Sequence, residues 1–383
     1  SATEAGEARA LNNTLEVSGL TASNDQGTAV TNVVAAHLDA TQAVAENNAT
    51  VVEDSSFTGT TSLLGVRLTA ENQGVASGNN VALSGTKFSG TSNVATVLLG
   101  ATQAETENSS FTGTTSLLGV KLAAENRGVA SGTSVSVSGV EVSGYGLIEA
   151  VSVYSQNTVE VDNSTLLLSN VSMDGKPALI VDSLGKTVSV QNTLVQATEV
   201  DIQDNKELKE RNVLAGVSAF ITNDGGTFTN KNTIVSVNKS DITNGYVAGI
   251  LVALADGGQV EINNQTVVVS NSTVDDVYGT GIVASGDVSA RINNQTIVLD
   301  NATVEGGVYA VSVKNGTSTR SGNDVELTNS RLQLSGTNTV GSISGFDTIG
   351  LNVTEANKEK AVLTVTDADA GQMEFNGVTI EIA

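Results

Sequence analysis

The sequence predicts an all-β fold, a right-handed parallel β-helix solenoid of about 12 coils with roughly 30 residues per coil. Three observations carry that expectation. First, an apolar residue, then Gly, Asn or Asp two positions later, then another apolar residue at the sixth position, recurs along the chain. Clear copies are Val17-Gly19-Ala22, Val52-Asp54-Phe57, Leu168-Asn170-Met173, Val269-Asn271-Val274 and Leu299-Asn301-Val304. Leu83-Gly85-Phe88, Thr106-Asn108-Phe111, Val137-Gly139-Val142, Leu327-Asn329-Leu332, Val365-Asp367-Ala370 and the degenerate Val195-Ala197-Val200 and Val237-Lys239-Ile242 complete the count. Second, the 383 residues include 39 Gly and 1 Pro. Proline cannot donate to a β-ladder, whereas glycine and asparagine supply the positive φ angles of turns. Third, β-branched and small polar residues alternate, as in Val135-Ser136-Val137-Ser138 and Val325-Glu326-Leu327-Thr328, and no stretch sustains a 3.6-residue apolar period.

Taken in chain order, the elements read as one β-helix domain over residues 1–383 with inserted loops near 201–212 and 354–360. Ser55–Gly78 returns almost verbatim as Ser109–Gly132, with three of 24 positions changed. The offset of 54 residues keeps the downstream coils in register, as a duplication of whole coils would. In the C-terminal half, Ile262-Asn263-Asn264-Gln265-Thr266 returns 30 residues later as Ile292-Asn293-Asn294-Gln295-Thr296. The first and sixth motif positions are expected to line the core as columns of Val, Leu, Ile and Phe. The third position is expected to stack at a corner, where Asn tolerates the left-handed conformation and can bond the Asn one coil away. The segment 201–212 is the densest charge cluster in the chain. Insertions in solenoids project from one side and often bind, so Asp204, Lys206, Glu207, Lys209, Glu210 and Arg211 form the candidate binding loop.

Composition removes several chemistries. With no Cys and one His, His37, thiolate or His-rich metal centres, cysteine catalysis and a hydrolytic triad are not expected. Glycan cleavage on such a scaffold needs paired carboxylates across a groove. The adjacent pair Asp275-Asp276 is the one candidate, and it lacks the Gly-His-Gly and Arg-Ile-Lys companions of polygalacturonases. Trp is absent as an aromatic sugar platform. Thr366-Asp367-Ala368-Asp369-Ala370-Gly371 alternates carboxylates before a glycine but lacks the distal Glu of a calcium loop. No catalytic residue, metal or cofactor is expected. The net charge of −23 disfavours nucleic acid and anionic membranes, and no apolar run is long enough to insert as a helix. The opening Ser1-Ala2-Thr3-Glu4 does not read as a signal peptide, so a mature or trimmed fragment is expected.

Cysteine-free, acidic coils rich in Gly, Asn, Ser, Thr and Val, with phrases such as Asn13-Thr-Leu-Glu-Val-Ser-Gly19 and Asn80-Val-Ala-Leu-Ser-Gly85, resemble the β-helical passenger region of Gram-negative autotransporters. The resemblance covers nearly the whole chain. It implies a non-catalytic adhesin, exported through the outer membrane and displayed at the cell surface. Its expected role is adhesion to host cells or other bacteria, self-aggregation and virulence. The implied partners are a protein or glycan ligand on a host-cell or bacterial surface, and other rods by self-association. A tailspike-like polysaccharide depolymerase and a purely structural stalk are the alternatives.

Overall fold

A computed structural model describes residues 7–383 apart from 24–29, 47–48, 54–55, 59, 78–79, 85–86, 90–91, 108–109, 113–116, 133, 143–147, 156, 175–177, 185, 204–210, 222–224, 256, 316–323 and 368–376. Side chains are described chiefly at 9–21 and from 157 onward. The fold is an all-β parallel β-solenoid. Among the described residues there is no helix, and each strand pairs in parallel with the equivalent strand one turn away. The ladder reaches the N-terminal strands, where Val17 pairs with Val52 and Val52 with Leu83.

The corners explain the sequence repeat. Each turn has two residues with positive φ, seven positions apart: Asn163 and Asn170, Asn192 and Glu199, Asn232 and Lys239, Asn264 and Asn271, Asn294 and Asn301, Asn329 and Gly336. Left-handed backbone costs an L-residue roughly 1–2 kcal/mol, least for Gly and Asn. The sequence motif marks the second corner, and its flanking residues Val237, Ile242, Val269, Val274, Leu299 and Val304 are all buried, as the pattern predicts.

The first corner carries the continuous side-chain ladder. Asn192 Nδ2 donates to Asp162 Oδ1 (2.8 Å), Asn232 to Asn192 (3.0 Å), Asn264 to Asn232 (3.1 Å), Asn294 to Asn264 (3.1 Å) and Asn329 to Asn294 (3.2 Å). Each Asn thus satisfies an exposed turn and locks the register of the coil beneath it.

These corners correct the coil count. Among the described residues, the turns that show both corners number about six, of about 32 residues each, against the twelve coils expected for the whole chain. Leu327-Asn329-Leu332 sits on the first corner of a turn whose second corner is Gly336. Val195-Ala197-Val200 ends one residue past the true corner Glu199. Val365 pairs with Val340, a sixth-position residue, and starts no motif of its own. An Asn or Gly between apolar residues describes either corner equally well, so the motif does not tell which corner it marks.

Inside, columns of Val, Ile and Leu form a single core, for example Val195, Val235, Val267, Ile297 and Leu332. Each fully buried aliphatic side chain contributes about 1.5–3 kcal/mol. Beside them runs a buried polar column directly after the first corner: Ser164, Thr193, Thr233, Gln265, Gln295 and Ser330. The two glutamines cross the coil. Gln265 Nε2 donates to the Gly279 carbonyl and Gln295 Nε2 to the Ala310 carbonyl (2.7 Å). The Thr280 hydroxyl lies 3.1 Å and 2.9 Å from their Oε1 atoms. A Cβ at Gly249 or Gly279 would collide with these amides, so glycine at the opposite bend is the counterpart of glutamine in the column.

Of the two expected insertions, 354–360 is a compact turn. Asn357 is buried there, accepts from the Thr354 amide (2.6 Å) and donates to the Asn352 carbonyl (3.0 Å). Near 201–212, Asp201 to Gln203 end one strand and Asn212 opens the next, and 204–210 lie outside the described residues.

The corner geometry predicts that Asn294→Ala lowers stability by about 1–2 kcal/mol through the left-handed φ and the lost ladder bonds, while Asn294→Gly costs distinctly less. Denaturant midpoints of the two variants check this, and equal losses would show that φ is not what asparagine supplies.

Candidate functional site

Four parallel strands, Asn212–Ile221, Asp241–Leu254, Thr273–Ala284 and Thr303–Asn315, form a face that carries a groove. Their register aligns three outward columns. Ala248, Tyr278 and Tyr309 share one; Ser218, Leu251, Gly281 and Ser312 a second; Phe220, Ala253, Val283 and Lys314 a third. The glycine bend lies between the first two columns and turns the chain. The tyrosine side and the Phe220–Val283 side therefore become walls over a floor of Ser218, Leu251, Gly281 and Ser312. The resulting groove encloses about 510 Å³, within the few hundred to a thousand Å³ usual for ligand sites. Gly281 deepens it: a Cβ there would press on Leu251 Cδ2 at 2.8 Å. Phe220 and Val283 are 40% and 53% exposed.

One end of the groove is held by Arg211 and the tyrosines. Tyr246 meets Tyr278 edge-on at 5.4 Å, Tyr278 stacks on Tyr309 at 5.1 Å, and the Arg211 guanidinium lies 5.2 Å from the Tyr246 ring centre. Arg211 Nη2 also donates to Asp276 Oδ2 (2.6 Å) and to the Gly245 carbonyl (3.3 Å), with Asp275 Oδ2 at 3.7 Å. The other Asp276 oxygen accepts from the Gly307 amide (2.7 Å). Glycine at 306 and 307 leaves room for this, since side chains there would strike Asp276 and the Tyr309 ring.

Electrostatics follow from the same contacts. Burial opposes the Arg211 charge, but its hydrogen bond to Asp276 and the attraction of that carboxylate outweigh burial and raise its pKa. Burial pushes up the Tyr246 hydroxyl, against the pull of Arg211, and also the Tyr278 hydroxyl, where Asp276 adds to it. Beside the groove, Asp201 and Asp241 are register partners on neighbouring strands. Burial first, then repulsion by Asp201 and Asp275, raises the Asp241 carboxyl. Asp275 is raised chiefly by burial, a shift that Arg211 and the Gly245 amide reduce.

Of the sequence-predicted loop, Asp204, Lys206, Glu207, Lys209 and Glu210 lie outside the described residues. Arg211 is placed, at the groove. Asp275 and Asp276 are next to it, tied into the Arg211 cluster, and neither lines the groove. The distal Asp369 of the calcium-like stretch lies outside the described residues, and among those described no group of three or more His, Cys, Asp or Glu is arranged to hold a metal. Sequence reasoning missed the groove residues Phe220, Tyr246, Tyr278 and Val283. Their available signal was the spacing of Tyr278 and Tyr309, one coil apart, the first next to Gly279 and the second two residues after Gly307. Compared with protein-family models, characterised proteins and solved structures, the chain matches none.

Asp241 and Asp275 have raised pKa values in the folded state, so folding gains stability as pH falls through the range just above the ordinary aspartate value. Thermal midpoints should therefore rise from pH 7 to about pH 4.5, and Asp241→Asn should raise the pH 7 midpoint and flatten that rise. A midpoint that falls steadily with acidification, equally in both proteins, would contradict the assignment.

Proposed function

We propose that this chain is a surface-displayed, non-catalytic binding rod, an autotransporter-type adhesin passenger that engages a host-cell or bacterial surface through the lateral groove. The observation that carries the reading is the groove itself. A rod of net charge −23 exposes Phe220 and Val283 beside ordered tyrosines, and none of the described residues lining that groove is Asp or Glu. Exposed apolar patches with polar rims mark interaction sites. The non-catalytic role is supported by the same lining. Glycoside cleavage needs two carboxylates at the substrate, whereas Asp276 is occupied by Arg211 and the Gly307 amide. The coil is taken as right-handed, the hand that parallel crossovers almost always adopt.

The resemblance to passengers in repeat grammar supports display outside the cell. A cysteine-free chain crosses a pore unfolded without disulfides to undo.

The test compares cell binding by three purified forms: the parent chain, the Phe220→Ala/Val283→Ser variant, and a deletion of residues 204–210. The groove reading expects at least a tenfold loss for the double variant, as truncation of buried aromatic anchors costs about 2 kcal/mol or more, and near-parental binding for the deletion. The reverse pattern would move the site to the inserted loop; no binding by the parent would leave a stalk.

A further inference from the structure

We infer that the groove takes an acidic oligosaccharide lying along the rod axis, with its anionic substituent at Lys314 and a sugar face on Phe220. This rests on the binding-rod reading above and specifies its ligand.

Four features lead to that chemistry. The first is shape. The groove crosses four strands rather than following one, and at the ~4.8 Å spacing of paired strands its floor is about 14 Å long. That suits an elongated chain molecule.

The second is the backbone. The floor strands spend their N–H and C=O groups on the coils above and below. An extended peptide would find no open edge to pair with, so the common route to peptide affinity is closed. A glycan needs no such ladder.

The third is the inventory of surfaces. Tyr278 is covered by Tyr246 and Tyr309, and Arg211 lies over Tyr246. Phe220, among the described residues, has no ring partner, so its face is open for the C–H face of a sugar. Ser218 and Ser312 on the floor offer hydroxyls to sugar hydroxyls.

The fourth is charge. Arg211 and Lys314 are the charged residues lining the groove, both cationic, in a chain with 41 acidic and 18 basic residues. Arg211 is engaged by Asp276. Lys314 is exposed and makes no ion pair among the described residues. An ammonium beside an apolar wall selects a ligand that joins an anionic substituent to an apolar face.

Binding of the full chain is measured with four probes: hyaluronan oligosaccharides and oligosialic acid (carboxylated), heparin-derived oligosaccharides (sulfated) and neutral dextran. The expected result is binding of at least one acidic class, weakening with salt, with dextran bound far less. Lys314→Gln should weaken that binding about tenfold, the size of one charge-assisted contact. Lys314→Arg should retain it, and Phe220→Ala should weaken it for every acidic probe. Both side chains are exposed, and unchanged far-ultraviolet circular dichroism confirms that the variants fold. The carboxylated and sulfated arms identify the anion.

Failure of every acidic probe, equal binding of dextran, or parental affinity in Lys314→Gln overturns the inference. If the chain still adheres to cells in those cases, the binding-rod reading stands and the ligand class falls alone. A chain that adheres to no cells removes both.

Discussion

The parallel backbone ladder between successive coils is the constraint on which the rest of the molecule depends. It fixes every residue of one turn over its counterpart in the next, as Gln265 lies over Gln295 and Val267 over Ile297. A turn can keep that register only if the chain bends at the same two places each time. Those bends are the left-handed corners seven residues apart. Register turns each side chain into a member of a column, and columns amplify small preferences. One Asn–Asn hydrogen bond contributes about 1 kcal/mol. A ladder of them running from Asp162 to Asn329 aligns the coils through the whole C-terminal half.

The interior polar column shows how the same constraint shapes the outside. A buried glutamine must satisfy its amide, and Gln265 and Gln295 do so by reaching the far wall of the coil. That reach demands glycine at 249 and 279. The bend these glycines form separates the tyrosine column from the Ser218–Leu251–Gly281 column and opens the groove between them. Interior hydrogen bonding and the shape of the proposed binding face are thus one arrangement. Ser164 and Thr193, in the same column toward the N-terminal side, have no hydrogen-bond partner for their hydroxyls among the described residues, and at Gly216 the column residue facing the bend is Thr233.

Charge is distributed to the same end. Stacking puts like residues over one another, so carboxylates such as Asp201 and Asp241 meet across neighbouring strands and repel. Where Arg211 intervenes, Asp275 and Asp276 are held instead, and the guanidinium also closes the aromatic stack. The pair that sequence alone suggested for glycan cleavage is in this setting a fastening between coils, joining Arg211, Gly245 and Gly307.

By itself, the sequence determined the class of fold, the solenoid period and the identity of the core columns, because these follow from local grammar. One proline among 383 residues, alternation without a helical period, and Asn or Gly before apolar positions each act within a few residues of chain. Which corner a motif marks was not legible, since both corners of a turn carry the same residue types and only hydrogen-bonded register separates Asn329 from Gly336. The groove was not legible either. Phe220, Ala253, Val283 and Lys314 are 30 to 33 residues apart and share no local pattern. They become one wall only when the glycine bend and the strand register act together, and that combination exists only once the coils are stacked.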